Sequence, residues 1–277
     1  MAIRKLFNRL FISIAFLSFL CVISILVICV ASICYKGLGN FKINMLFSLP
    51  KAVGESGGGF ANAIVGTIII CCGAMICFTP IGIIIAILLA IYKYTKISHS
   101  VNILINSLNS TPSIVIGVIA YILLVEPFKT FNAIAAMFAV GMIYLPYVVI
   151  YAQEVLTKMN ILYMEQGVAL GLSKFKTTFF LLLRFSKSMI IFGMLSGLAR
   201  IVGESAPLLF TALGNDAIFE GLMKPISALP LLIFTYAISP FEQWRSLAWS
   251  AAFVMLVMVL ILNLSLSFIG RKFERNL

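Results

Sequence analysis

Long apolar runs, rather than the short alternation typical of strands, organise this chain. About 20 apolar residues in sequence are needed to cross the roughly 30 Å hydrocarbon layer of a bilayer. Six such runs can be drawn, at 10–33, 62–91, 102–125, 133–152, 188–213 and 247–269. Lipid offers no partner to backbone polar groups, so each run must be helical. No ladder of short alternating segments suggests an outer-membrane barrel. The pattern predicts an all-α polytopic membrane protein with six transmembrane helices.

Two runs are interrupted. In the second, Pro80 follows Thr79 and predicts a kink. The third opens on NILINSLNSTPS, which gathers Asn102, Asn106, Asn109, Ser110, Thr111 and Ser113 around Pro112. Only the 12 residues at 114–125 are continuously apolar, too few to cross alone. The polar half must be shielded by protein or line a wet cavity, so both interhelical glue and a place on a pathway fit it. Between Pro230 and Pro240 the apolar piece LLIFTYAIS reaches only ~13 Å as a helix and cannot cross. Residues 214–246 are therefore expected as an outer, partly re-entrant segment, with Trp244 and Trp249 at the start of the last helix. Residues 153–187 form the longest inner connection, and it is amphipathic.

Composition sharpens this picture. The chain is 62% hydrophobic and 10% charged, against about 25% charged in a soluble domain. Its net charge of +11 would suit nucleic acid if it were clustered, but the basic residues sit at helix ends. If the first helix starts inside, 13 basic residues fall inside, 6 outside and one, Arg200, within a span. The positive-inside rule then places both termini in the cytoplasm. The N-terminal run of some 24 residues has no clear small-x-small cleavage site, so it is expected as an uncleaved helix.

Several function classes drop away. The six cysteines fall almost wholly inside apolar runs and read as small packing residues. His99 is the single histidine, so no metal is expected, and nothing calls for a cofactor. The glycine cluster in GESGGGF lacks the Lys-Ser or Lys-Thr of a phosphate-cradling loop, and that motif occurs nowhere else. No catalytic cluster is visible, so an enzyme is not expected. An ion-coupled secondary transporter and a permease for an oxyanion or other small solute remain as alternatives.

The stretch LARIVGESAPLLF places Arg200 and Glu204 in the middle of the fifth run. Arginine at the centre of a spanning helix is disfavoured by about 2.5–3.5 kcal/mol on insertion scales. The i, i+4 spacing puts both charges on one helix face, close enough to pair. Pairing explains how Glu204 is tolerated. A guanidinium that meets a crossing anion would explain why a charge is there at all, because its planar, permanently charged donors suit oxyanions.

ARIVGESAPLLFTALGN (199–215) and SPFEQWRSLAW (239–249) closely resemble the permease subunits of phosphate-specific ABC importers, in particular the PstA-type member of the pair. A looser likeness covers roughly 60–270. The inner sequence EQGVALG resembles the family's cytoplasmic E-A-A…G motif, with Glu165 and Gly171 in the matching places. Gln166 and Gly167 replace the two alanines, and Leu183-Arg184 stands where Leu-Pro would be. The resemblance implies an ABC importer permease core at 60–277, preceded by a transmembrane helix and external loop at 1–59. It implies a heterodimer with a homologous permease, two copies of an ATP-binding subunit, an extracytoplasmic phosphate-binding protein, and inorganic phosphate as cargo. Arg200 and Glu204, with Thr111 and Ser113, are the expected pathway residues, and Glu165 and Gly171 the expected ATPase coupling loop.

Overall fold

The structure, a computed structural model, describes residues 2–52, 54–55, 57–158, 161–185 and 187–274, so residues 159, 160 and 186 of the expected inner connection lie outside it. The described residues form helices α1 (Ala2–Asn40), α2 (Ala61–Ile91), α3 (Lys96–Ser110), α4 (Ser113–Ala120), α5 (Ala133–Lys158), α6 (Ile161–Ala169), α7 (Lys174–Phe185), α8 (Lys187–Ile201), α9 (Ala206–Thr211), α10 (Leu229–Ala237) and α11 (Glu242–Glu274). Among the described residues four stretches are long and apolar enough to cross a membrane: Phe7–Asn40, Ala61–Ile91, Ala133–Glu154 and Glu242–Ser265.

The third and fifth apolar runs are not continuous helices. α3 and α4 meet at a 103° bend, and a π turn (Tyr121–Val125) completes α4. Thr111 is extended there, with ψ 133°, as expected for a residue before proline. The fifth run is cut at 202–205 between α8 and α9. In both places proline follows small polar residues, so the helical ladder stops and restarts. By contrast Pro80 and Pro146 lie within α2 and α5 without ending them.

The centre of the bundle is α2 and α5 side by side, running in the same direction. Gly73 meets Met137, Thr79 meets Tyr144 and Gly82 meets Val148 in succession. The end where α2 and α5 begin is called the upper end below. Tyr144 is fully buried, and its hydroxyl shares a 2.9 Å hydrogen bond with Thr79, one residue before the α2 proline. α8 runs back against α5 through Gly193 and Gly197. A Cβ on Gly193 would lie 2.6 Å from that of Tyr151, and one on Gly197 would lie 2.7 Å from the Tyr144 ring. This is a small-x-x-x-small seam, which lets two backbones approach where no hydrophobic force separates helix from lipid.

α1 adds to this bundle from outside. Its spanning stretch is unburied, and it joins the rest near its last turns. There Lys36 lies 4.7 Å over the Trp249 ring and Phe41 packs on Phe253 of α11. At the upper end, residues 212–241 fold back into the bundle as a plug. Leu229 N–H, at the first turn of α10, donates to the Thr67 hydroxyl at 2.8 Å. The plug also satisfies the start of α5. The N–H groups of Asn132, Ala133 and Ile134 donate to the carbonyls of Thr211, Lys224 and Leu222, and Ala135 N–H donates to Asn132 Oδ1. Four donors at the start of a span, those of the buried Asn132, Ala133 and Ala135 and of Ile134, are thereby paired.

The plug docks so closely that a Cβ on Gly66 of α2 would overlap the Ser227 carbonyl oxygen. Gly39 of α1 has open space around the same position. Gly66→Ala is expected to destabilise by about 1–3 kcal/mol through overpacking against backbone that cannot yield. Gly39→Ala is expected to be neutral or slightly stabilising. Thermal unfolding of the detergent-solubilised protein, followed by tryptophan fluorescence, checks the contrast.

Candidate functional site

The two breaks define the site. At the end of α8, Val202 N–H donates to Leu198 O (3.0 Å) and Glu204 N–H to Ile201 O (3.1 Å). α9 restarts with Leu208 and Leu209 donating to Ser205 O, and Pro207 in its first turn has no N–H to leave unpaired. At the other break, Thr111 N–H bonds Leu108 O at 3.3 Å and its hydroxyl bonds Ser107 O at 2.7 Å. Val115 N–H then reaches Pro112 O at 3.0 Å.

The two restarted helices cross in contact. A Cβ on Gly117 of α4 would lie 2.6 Å from Pro207 Cα of α9. Both helices run toward the upper end, since Leu124 O accepts from Asn132 and Thr211 O lies at the start of α5. Ser113 precedes Gly117 by four residues and Glu204 precedes Pro207 by three, so each break sits about one helical turn below the crossing. The fold thus sets the two breaks at the lower ends of two crossing helices, α4 and α9. No hydrogen bond joins the two pairs among the described residues, and Thr111 and Ser113 are half-buried.

Arg200 occupies the last turn of α8, and its Nη1 pairs with Glu204 Oε1. The pair is lopsided: the Glu204 side chain is 8% exposed and that of Arg200 is 53% exposed. Glu204 Oε1 is sealed from solvent, and no donor besides this guanidinium reaches it among the described residues. Behind the break the wall is apolar, where Ile70, Val140, Val202, Leu208 and Pro230 line a small void. A carboxylate fixed in the wall therefore holds a cation whose other donors remain open. That arrangement can receive an anion from the exposed side without surrendering the buried charge.

Glu165 and Gly171 lie elsewhere, on a hairpin of α6 and α7 beyond the lower end of α5. Gly171 has φ +84°, a left-handed turn that glycine adopts freely. Gly167, which stands in place of a family alanine, is where a Cβ would overlap the Thr177 side chain. The hairpin tip is apolar and exposed, with Leu170 83% exposed and Val168, Leu172 and Phe175 also open. Two features of the site escape a reading for charge. The Gly193 and Gly197 spacing that sets α8 against α5 is visible as G-x-x-x-G in GMLSG. The Gly117 to Pro207 crossing leaves no local signal, because its halves are 90 residues apart.

The unequal burial predicts unequal costs. Arg200→Gln strands a buried carboxylate and is expected to destabilise by about 2 kcal/mol or more. Glu204→Gln leaves a half-exposed guanidinium and is expected to cost under about 1 kcal/mol. The double variant is expected to recover most of the loss, a coupling that a thermal-shift cycle over the four proteins measures.

Residues 80–277 match the family described as binding-protein-dependent transport system inner membrane component. The chain is 34% identical over 262 residues to the phosphate transport system permease protein PstA of Haemophilus influenzae, covering 94% of this chain and 93% of that one. It is 35% identical over 230 residues to the protein of the same name from Yersinia pestis, covering 83% and 78%. A probable PstA of Methanocaldococcus jannaschii is 34% identical over 236 residues, covering 83% and 82%. A multi-pass helical bundle with a charged pair at paired chain breaks, matched over these lengths, belongs to the family of inner-membrane components of binding-protein-dependent transport systems.

Proposed function

We propose that this chain is one half of the transmembrane pathway of an ATP-driven phosphate importer. Arg200 is its anion-facing charge and Glu204 the carboxylate that holds that charge between passages. The observation that carries the reading is the half-open guanidinium anchored to a sealed carboxylate at a helix break. The names of the relatives supply the cargo. Thr111 and Ser113, at the other break, supply neutral hydroxyls to the same conduit. Six spans with both termini cytoplasmic follow if α3 with α4, and α8 with α9, each count as one broken crossing. Residues 1–59 are then an added helix and outer loop on a five-helix core at 60–277.

A chain without a phosphate-cradling loop draws its energy from elsewhere. Two copies of an ATP-binding subunit would seat on the α6–α7 hairpins of this chain and of a homologous partner permease. A phosphate-binding protein would deliver cargo to the upper end. The exposed apolar tip around Leu170 suits a groove on another protein better than it suits water, and Glu165 and Gly171 flank it. Rocking of the two permeases would open the site to one side at a time, with the guanidinium released to the anion and afterwards returned to Glu204.

The stable double variant gives a clean test. Arg200→Gln with Glu204→Gln is expected to assemble and to hydrolyse ATP, yet to lose phosphate uptake into proteoliposomes by at least tenfold. Uptake at the wild-type rate would overturn the assignment of Arg200. Separately, Leu170→Asp is expected to abolish co-purification of the ATP-binding subunit while the permease pair still assembles.

A further inference from the structure

α3 carries more polar surface than its place in the bundle explains. Its buried edge includes Ile105, which lies in a cluster with Ala86, Leu89, Leu145 and Val149. Ala86 is five residues, ~8 Å, from the lower end of α2, and Leu145 is twelve residues, ~18 Å, from the upper end of α5. This part of α3 therefore stands at hydrocarbon depth, in the lower half of the bundle. Asn102, Asn106 and Asn109 recur along it at helical spacing. Asn106, Ser107, Asn109 and Ser110 are all exposed. The Asn102 amide donates to Ser98 O at 3.1 Å, and the Ser110 hydroxyl donates to the carbonyls of Asn106 and Ser107. The side-chain amides of Asn106 and Asn109 have no partner among the described residues. Lipid cannot supply one, so this face meets water or another polar surface.

Three observations favour a wet conduit over a packed neighbour. The face is continuous: α3 carries it from Lys96, just past the lower end of α2, to the Thr111 break, where the chain turns by 103° into α4, the helix that crosses α9. It lacks glycines such as those by which α8 closes on α5, while Ile103 and Leu104 beside it stand 52% and 62% exposed. Its polar groups are neutral. Between Arg200 and Lys96 it offers amides and hydroxyls, with His99 the one titratable side chain on the helix above Lys96.

We propose that Asn106 and Asn109 line the lower half of the anion path and donate uncharged hydrogen bonds to a phosphate-class oxyanion after it leaves Arg200. This inference rests on the reading of Arg200 above. Neutral donors suit the task, since an amide bonds an oxyanion without adding the direct attraction of opposite charges, by which a second guanidinium would hold the anion back. The basic Lys96 then lies at the mouth, where hydration weakens its hold.

The test uses the assembled complex with the six native cysteines replaced by serine. Asn106→Cys and, for comparison, Leu104→Cys on the apolar flank are exposed to an anionic methanethiosulfonate reagent in inside-out vesicles. Asn106→Cys is expected to react at least tenfold faster in at least one nucleotide state, and more slowly with inorganic phosphate present. No reaction in any nucleotide state would overturn the proposal and would mean that a neighbouring helix covers the face. In parallel, Asn106→Asp places an anion on the path and is expected to lower phosphate uptake at least tenfold while ATP hydrolysis by the complex persists. Wild-type uptake by this variant, with the Arg200 and Glu204 double variant inactive, would remove the α3 path and leave Arg200 standing. Wild-type uptake by the double variant would remove the reading beneath both.

Discussion

A peptide group in hydrocarbon has no partner outside its own helix, and a chain that breaks a helix at membrane depth must cover the break with protein. Here the helices that restart after the two breaks pack on each other. The restart at Ser113 and the restart at Ala206 cross through Gly117 and Pro207, the close contact that the absence of a Cβ permits. Each break carries a proline within two residues of its restart, so donors that would have no acceptor are fewer. The upper end solves the same problem for α5, with carbonyls from Leu222 and Lys224 of the plug and Thr211 of α9 and one side-chain oxygen from Asn132. Broken helices and a re-entrant segment are therefore one device: irregular backbone inside a membrane, permitted because other irregular backbone faces it.

That device decides where charge can stand. A regular span would leave Arg200 and Glu204 on a helix face with every backbone group already bonded and only lipid or packing around them. The break lets the chain turn at 202–205, so Glu204 is drawn into the wall while Arg200, one turn earlier, keeps half of its surface open. A buried carboxylate tolerates that place only while a cation stays near. The open guanidinium is thus tied by electrostatics rather than by packing. Such a tie can loosen when a second anion shares the cation and reform when that anion leaves.

Much of this architecture is legible in the sequence. The apolar runs gave the positions of the helices, and the i, i+4 spacing gave the ion pair, because both depend on local periodicity and on a solvent that admits few solutions. The polar opening of the third run was legible as an anomaly, and Pro112 marked where it bends. The cut in the fifth run was not foreseen, although Gly203, Ser205 and Pro207 are the residues that make it. Hydropathy averages over them, whereas the backbone responds to each one. The partners of the breaks were also out of reach. Gly117 against Pro207, Gly66 against Ser227 and Tyr144 with Thr79 are pairings between distant segments, decided by packing.

On the proposed reading, a division of labour along the conduit would follow from these constraints. Near the middle of the bundle a single strong cation suffices to offset the loss of hydration of an entering anion, and a fixed counter-charge keeps that cation from becoming a trap. Below it, strong sites would be a hindrance, because an anion that has already lost contact with the upper side needs only to move on. Uncharged amides on α3 meet that need: they replace some of the lost water contacts without adding charge, and they lead to a basic mouth where solvent takes over. Selection and release of the cargo would then fall, as proposed, to different residues on different broken helices, and the crossing of α4 and α9 would be the joint between them.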